Sequence, residues 1–472
     1  MTISESIPER DLPVAAPAAV DHVRGVTAGG KSMLFKIGGE GGLATNQELS
    51  AAIVELNSTV SGAIEEISEA AAKMLSSNTS PKFRSYGGQI AALAQALTDP
   101  LHQAVYVTFI GDSITWGATL PDNAPTDPRD GTLADPRDNY VSASYVNEFK
   151  RYVGREYFDG VAPVLSNWSY SSGGQSTAAF LKKIDLYPGI APFTVTSSGA
   201  SVSLSEPVDA AYLLGKALRL DVAASASYYA IDIPHFTGDS LSVVYTSVAG
   251  LMQQYELYVD GVLKGTFDTE NGTTYGNVRN HAFAYVRDKT VQIRSKYPSG
   301  GSGTKRLMIE AIRVPKVCRI TNQGVNGTEF RRYSDWMFGA FGPSVTSASD
   351  EFYFVQLGSN NRGSVESPFS VNRLSALAVT LIDKLVAVSG RVILMAANPA
   401  TPDAPTAPFK YRMSDVRNSL NDVARSKSLD FIDNYAVFQG VSSAEFTADG
   451  LHPNKFGHAM IVKNIIGALE MS

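Results

Sequence analysis

The segment AVYVTFIGDS, residues 104–113, decides how the rest of the chain is interpreted. A run of mostly apolar and β-branched residues stops abruptly at Gly111, Asp112 and Ser113. An apolar run of this length without alternation predicts a strand that is buried on both faces of a parallel sheet. A serine directly after such a strand is either a helix N-cap or a nucleophile, and residues elsewhere in the chain decide between the two.

Strands and helices alternate on both sides of this segment. QIAALAQAL (89–97) and SASYVNEFKRYVGREY (142–157) have the apolar spacing of helices. After residue 316 helices alternate with four predicted strands, KVCRITNQG, EFYFVQLG, RVILMAANP and LDFIDNYAVF. This alternation predicts an α/β fold class, with a covered parallel sheet built from about residues 85–160 and 317–472.

Residues 161–316 have a different texture. Short strand-like runs are separated by Gly, Ser, Asn and Asp, and VDGV (259–262) is a hairpin signal. Many short strands without helices between them predict a β-sandwich inserted into the α/β domain. The module resembles carbohydrate-binding sandwiches. Strand alternation places about half of its tyrosines Tyr228, Tyr229, Tyr255 and Tyr258 in the core, and the others are candidate sugar platforms.

Residues 1–45 mix Pro, Ala and Gly without periodicity, and we interpret them as an arm or attachment segment. Residues 46–80 contain apolar residues at alternating spacings of four and three: Leu49, Ile53, Leu56, Val60, Ala63, Ile67, Ala70 and Met74. Such a heptad seam is typical of a coiled coil that joins several chains, although one amphipathic helix packed on its own domain has the same pattern. The polar remaining faces favour the coiled coil.

Composition excludes several classes of function. The 472 residues carry a net charge of −6 without a long basic run, which argues against a nucleic-acid partner. Cys318 is the single cysteine, so an internal disulfide and a Cys-rich metal site are excluded. No apolar run reaches transmembrane length, and the N-terminus has no signal-peptide pattern, so we expect synthesis in a cytoplasm without membrane insertion. No metal or cofactor motif is present.

Four short blocks carry candidate catalytic groups. His452 can accept the proton of Ser113, and Asp449, three residues before His452, can hold the other imidazole nitrogen. Backbone N–H groups of Ser113 and Gly327 and the side-chain amide of Asn360 can stabilise an oxyanion. Each block follows a predicted strand or precedes the last helix, where ligands of open parallel sheets bind.

This set resembles the SGNH (GDSL) hydrolase family, whose four blocks supply Ser, Gly, Asn and His. The matching stretches, in order, are GDSITWG, NQGVNGT, GSNN and DGLHPN. The resemblance implies a flavodoxin-like parallel sheet over residues 85–160 and 317–472, and no cofactor. Asn361 departs from the family, which often has Asp there, and this affects local hydrogen bonding rather than the mechanism.

The oxyanion glycine has two candidates. Gly174 in NWSYSSGGQST also follows a plausible strand, but Gly327 follows a clearer strand and lies 33 residues before Asn360, which leaves room for one helix. We therefore prefer Gly327. Gly174 would place the whole inserted module between the second and third blocks.

Each catalytic candidate also has an ordinary structural interpretation. Ser113 alone fits a helix N-cap, Asn360 fits a turn, and His452 fits a surface histidine. The four blocks together, in family order, favour catalysis. His458, six residues after His452, fits a structural role, and Trp116 fits either the substrate pocket or the core.

The order of segments resembles bacteriophage tail fibres and tailspikes, which assemble in the host cytoplasm and act outside it. This resemblance implies a virion location, a homotrimer, contacts with other phage tail proteins through the N-terminal region, and removal of O-acetyl groups from a bacterial surface polysaccharide. Two other functions stay open: a lipase or thioesterase of the same family, and a non-enzymatic glycan-binding adhesin.

Overall fold

The computed structural model describes residues 22–26, 32–36, 80–120, 137, 140–168, 175–199, 202–251, 254–269, 272–338, 351–363, 370–388, 390–405 and 408–472. The predicted coiled coil of residues 46–80 lies outside them apart from its last residue, and so does Gly174. The chain divides into two units, Met1–Thr79 and Ser80–Ser472. In the first unit, β1 (His22–Val26) and β2 (Ser32–Lys36) form an antiparallel pair.

The second unit contains all other described elements. Its strands are β3 (Phe83–Arg84), β4 (Ala104–Gly111), β5 (Val164–Trp168), β6 (Gln175–Leu186), β7 (Thr194–Ser198), β8 (Val202–Ser205), β9 (Leu218–Val222), β10 (Tyr228–Ser247), β11 (Gln254–Val259), β12 (Val262–Asp268), β13 (Thr274–Lys296), β14 (Lys305–Gly324), β15 (Glu351–Gln356), β16 (Arg391–Ala396) and β17 (Asp430–Asp433). Its helices are α1 (Gln89–Thr98), α2 (Ser113–Trp116), α3 (Tyr145–Tyr157), α4 (Phe330–Phe338), α5 (Val371–Ala387), α6 (Met413–Ser426), α7 (Asn434–Val437), α8 (Ser443–Phe446) and α9 (Lys455–Glu470), with a 3-10 turn at Asn360–Gly363.

Five parallel strands form the sheet that positions the site. The spatial order is the end of β14, then β4, β15, β16 and β17, which by chain order of these five is 2-1-3-4-5. This is the order of flavodoxin-like sheets, so the predicted parallel α/β sheet is confirmed. Gly111 at the end of β4 is in register with Gly324 and with Gln356. The carboxyl ends of three strands therefore meet at one edge.

The β-rich segment is joined to this sheet through β14. The sequence predicts a strand KVCRITNQG that begins at residue 316, but the structure has one strand from Lys305 to Gly324. Its first part pairs with β9 and β10, and its last part pairs with β4 and β6. On one edge of β14, Pro315 lies between the end of β10 pairing at Arg313 and the start of β4 pairing at Val317, so the proline needs no N–H there; on the other edge it is paired with Lys183 of β6.

The β-rich segment has a hydrophobic cluster of its own, separate from the cluster under the parallel sheet. Tyr229 and Tyr255 are buried in it, at 5% and 0% exposure, as strand alternation predicts. Tyr228 and Tyr258 are partly exposed and flank the Arg294 guanidinium, at 4.5 and 4.6 Å from their ring centroids. The described strands of this segment belong to the same hydrogen-bonded sheet as β4, and a two-layered sandwich stays a prediction.

Candidate active site

Ser113 is the first residue of α2, and it does not cap that helix. The N-cap is Asp112, whose carboxylate accepts a hydrogen bond from the Ile114 N–H at 3.0 Å. The N-cap interpretation that suits Ser113 in the sequence is therefore wrong for this residue. The chain turns so sharply here that Thr115 of α2 approaches the end of β4, and a Cβ on Gly111 would lie 1.9 Å from Thr115 Oγ1. The glycine lets α2 start directly against the end of β4 and presents Ser113 at the sheet edge.

The structure brings Ser113, His452 and Asp449 into one hydrogen-bonded chain. His452 Nε2 lies 2.8 Å from Ser113 Oγ, and His452 Nδ1 lies 2.7 Å from Asp449 Oδ2. The two segments are separated by 339 positions in sequence, so only the fold places them together. This is the arrangement of a nucleophile, its general base and the carboxylate that orients the base.

Asp449 is held by its own turn. Its Oδ1 accepts hydrogen bonds from the N–H groups of Leu451 and His452, at 3.0 and 2.8 Å. Partial burial acts to raise the pKa of Asp449, but the hydrogen bonds from the His452 side chain and the two N–H groups outweigh it and lower that pKa. The carboxylate is thus ionised and oriented, although its side chain is 46% exposed.

Two further segments hold the turn that carries His452. Thr401 N–H donates to Gly450 O at 2.7 Å, and Asn398 Nδ2 donates to Leu451 O at 2.8 Å. Asn398 is completely buried. Sequence reasoning missed this residue, although its position two residues after β16 was a signal, since it lies at the carboxyl end of a parallel strand.

Two of the predicted oxyanion residues, Gly327 and Asn360, lie on segments that contact each other. Asn360 Nδ2 donates to Thr328 O at 3.0 Å, which ties Asn360 to the loop that contains Gly327. The loop begins where β14 ends, and the end of β14 contacts α2, since Asn322 Nδ2 donates to Thr115 O at 3.0 Å. Gly327 has φ = 70°, a conformation that favours glycine. The described contacts join Asn360 to this loop but not to Ser113, so the oxyanion roles of Gly327 and Asn360 stay predictions.

Asn361, the departure from the family pattern, has a local role. Its Nδ2 donates to Glu329 Oε2 at 3.3 Å, and its Oδ1 accepts from the Phe330 N–H at 3.4 Å. An aspartate at position 361 would place a second carboxylate beside that of Glu329, with no N–H group to donate between the two, and like charges so placed repel. The Asn361 amide is therefore compatible with Glu329, the residue directly before α4.

A buried polar network surrounds Asp112, the residue directly before Ser113. Gln356 contacts Asp112 Oδ2 at 3.5 Å through Nε2 and accepts from Thr115 Oγ1 at 2.9 Å, and Thr115 contacts the Tyr145 hydroxyl at 2.8 Å. Complete burial raises the pKa of Asp112 to about 6, against the lowering effect of its hydrogen bonds. The residue directly before Ser113 thus carries a buried carboxylate whose pKa is raised by burial.

Two other sequence candidates lie in this core. His458 is completely buried, accepts from the Tyr145 N–H at 3.2 Å, and has its pKa lowered to about 3 by burial. His458 is therefore neutral and packed in the core, in agreement with the structural role predicted from the sequence. Trp116 is 3% exposed. Within the described residues no group of three His, Cys, Asp or Glu side chains is placed to hold a metal ion, and no helix is long and apolar enough to cross a membrane.

Comparison with known proteins gives distant structural likenesses. No family model matches the chain, and no curated protein matches it. A peptidoglycan O-acetylesterase structure is 13% identical and covers 82% of this chain and 98% of its own, with a TM-score of 0.36. An acetylxylan esterase from Geobacillus stearothermophilus is 17% identical and covers 32% of this chain and 72% of its own, with a TM-score of 0.27. At such scores these likenesses carry no argument about function, which rests on the geometry above.

Proposed function

We propose that the chain is a serine esterase. The observation that carries this proposal is the chain of contacts from Asp449 Oδ2 through His452 to Ser113 Oγ, at 2.7 and 2.8 Å. A serine hydroxyl is a weak nucleophile until a base removes its proton, and here the base is within hydrogen-bond reach. This pair can transfer the acyl group of an ester to water by way of an acyl-enzyme.

In the proposed reaction Ser113 Oγ attacks the ester carbonyl carbon while its proton moves to His452 Nε2. Asp449 stabilises the imidazolium that forms. The Ser113 and Gly327 N–H groups and the Asn360 amide take the charge of the tetrahedral oxyanion. The ester C–O bond then breaks, and His452 returns the proton to the leaving alcohol oxygen. A water molecule, deprotonated by His452, releases the acid from Ser113 in the second half.

The proposed substrate is an O-acetyl group on a bacterial surface polysaccharide. Two features of the sequence support this choice: the four-block resemblance to SGNH hydrolases, and the β-rich segment that resembles carbohydrate-binding modules. The proposal includes a homotrimeric tailspike in a phage virion, supported by the heptad segment and by the order of segments. Other phage tail proteins would then bind the N-terminal region.

The test is acetate release from a panel of O-acetylated bacterial polysaccharides, with a long-chain acyl ester measured in parallel. We expect acetate release by the wild type, none by Ser113→Ala, and no turnover of the long ester. Turnover of the long ester alone would keep the catalytic residues and replace the substrate by a lipid-like ester. Glycan binding without any turnover would contradict the esterase and favour an adhesin.

A further inference from the structure

A pocket of about 530 Å³ opens on the β-rich segment, away from the catalytic serine. Its lining comes from four strands, with Lys183 on β6, Ser242 on β10, Asn280 on β13, and Arg313 and Pro315 on β14. Ligand sites in proteins commonly have volumes of about 300–1,000 Å³. The pocket is therefore large enough for a small ligand or for part of a polymer.

This pocket lies at the opposite end of the parallel strands from Ser113. Ser113 follows Gly111, which is paired with Gly324 at the end of β14. Pro315 precedes Gly324 by nine residues along the same strand, which is about 30 Å at the usual rise of about 3.3 Å per residue. The pocket thus belongs to neither the nucleophile nor the oxyanion loop.

Three side chains of the pocket, Arg313, Asn280 and Lys183, keep N–H groups that can donate to a ligand. Arg313 gives Nε and Nη2 to Asp185, at 2.7 and 3.0 Å, which fixes the guanidinium and leaves Nη1 to donate. Asn280 Oδ1 accepts from Ser242 Oγ at 2.7 Å, so its Nδ2 keeps both N–H groups. In the described part of the chain no ion pair or side-chain hydrogen bond involves the Lys183 ammonium.

The pocket also has a hydroxyl acceptor, because Ser242 Oγ gives its proton to Asn280 Oδ1 and keeps its lone pairs. Ser240 Oγ accepts from Gln103 Nε2 at 2.7 Å and donates to Asp239 at 3.0 Å. His281 directs its Nε2 to the Tyr255 hydroxyl at 2.8 Å within the hydrophobic cluster. A ligand that fits this lining supplies acceptors for the N–H groups and can give a hydroxyl proton to Ser242 Oγ, and a negative charge on it would pair with the Lys183 ammonium.

The lining also has apolar surface between these donors. Pro315, Val278 and Ala282 line the pocket, and Val278 is 47% exposed. Apolar surface beside a few placed polar groups is the usual composition of a small-molecule site. A sugar ring has both properties, since its C–H face packs on apolar atoms while its oxygens accept hydrogen bonds.

We propose that this pocket, between β6, β10, β13 and β14, binds a carboxylate-bearing sugar of the polysaccharide, about 30 Å along the sheet from the catalytic serine. Lys183 pairs with the carboxylate, while Arg313 Nη1 and Asn280 Nδ2 donate to it or to ring hydroxyl oxygens. That the ligand is a sugar rests on the proposed function. A site of this kind anchors a polymer while other acetylated units reach Ser113, which raises the effective concentration of substrate.

The experiment measures binding of trigalacturonic acid to the full chain by titration calorimetry, with maltotriose as the uncharged probe of equal length. We expect trigalacturonic acid to bind and maltotriose to bind at least tenfold more weakly. Lys183→Gln and Asn280→Ala should each weaken trigalacturonic acid about tenfold, and higher salt should weaken it further. Lys264→Gln is the matched control, because Lys264 is an exposed lysine on β12 outside the pocket.

Several outcomes would overturn the proposal. These are an absence of trigalacturonic acid binding, equal affinity for maltotriose, or affinity that Lys183→Gln leaves unchanged. Inorganic phosphate that binds as tightly as the uronide, with the same dependence on Lys183, would show a general anion site and reject the sugar. Ser113→Ala separates the two proposals: it should bind the uronide like the wild type, whether or not the wild type releases acetate.

Discussion

Asp112 caps α2 through the Ile114 N–H, and this leaves the hydroxyl of the next residue, Ser113, to the His452 imidazole. Asp112 thus takes the capping role that serine often has at a helix start, and Ser113 contacts the imidazole. This arrangement follows from the sharp turn at Gly111, after which Asp112 is extended and Ser113 is helical.

Ser113→Ala should therefore remove turnover without removing stability. The variant loses one hydroxyl and keeps the cap, so the free energy of unfolding should change by less than about 1 kcal/mol. Guanidinium unfolding of both proteins, together with acetate release, checks this. A loss of several kcal/mol in the free energy of unfolding would show that the Ser113–His452 contact stabilises the folded state and does not act in catalysis alone.

Asp449→Asn should lower kcat by about a hundredfold or more. Asparagine can still accept the two backbone N–H groups, but it offers Nδ1 of His452 an N–H instead of a carboxylate, which favours the wrong tautomer and leaves the imidazolium without its partner. Asp422→Asn, an exposed change on α6, is the control. Activity within twofold of the wild type would mean that water replaces this half-exposed carboxylate.

How far the sequence predicts this molecule depends on the range of the interactions involved. The strand that ends at Gly111 and the Asp449–His452 turn are local patterns, and both are recognisable in the sequence because apolar runs and short spacings set them. Continuity of β14 through Pro315 could not be predicted, since it depends on which strands stop and start beside that residue. A proline is normally evidence for a break.

The cap at Asp112 and the support from Asn398 were missed for a related reason. A sequence shows that Asp, Ser and Asn stand at strand ends, but not which of them donates to which backbone atom. Asn398 reaches Leu451 O across 53 positions, so its role exists only in the folded chain. The pocket lined by Lys183 and Arg313 is of the same kind, because four strands contribute to it.

Asn360 and Asn361 form a matched pair for the oxyanion prediction. Asn360→Ala should lower kcat by about a hundredfold to a thousandfold with little change in KM, because the amide acts on charge that develops in the transition state. Asn361→Ala loses its bonds to Glu329 and Phe330 and should cost about 1–2 kcal/mol of stability while kcat stays within about threefold. Steady-state kinetics and thermal unfolding of both variants decide the matter. Equal losses of kcat would contradict a special role for Asn360.

Asn398→Ala should lower kcat about tenfold, because the turn that carries His452 loses its bond from Asn398 Nδ2 to Leu451 O. The pH profile of kcat/KM separates a positional effect from general loss of structure, since a displaced imidazole changes the apparent pKa of the base and a partly unfolded population does not. Asn418→Ala, on the exposed side of α6, should leave both the rate and the profile unchanged. A profile identical to the wild type would assign Asn398 to folding alone.

Asp112→Asn tests the buried carboxylate of the residue directly before the nucleophile. Because the pKa of Asp112 is raised from 3.8 to about 6 in the folded chain, the folded state binds its proton more tightly than the unfolded state. The stability linked to this group is complete below pH 3.8 and is lost as the pH rises through about 6, a loss of about 3 kcal/mol at 1.36 kcal/mol per pKa unit.

Asparagine at position 112 keeps the cap of α2 and does not ionise. Relative to the wild type, Asp112→Asn should therefore gain about 2–3 kcal/mol in unfolding free energy between pH 4 and pH 7.5, measured in guanidinium at both values. Asp449→Asn should change in the opposite direction, because the lowered pKa of Asp449 gives stability that is present at neutral pH and lost as the pH falls. A difference between Asp112→Asn and the wild type that does not vary with pH would mean that Asp112 stays ionised throughout, with the network around Gln356 and Thr115 compensating its burial.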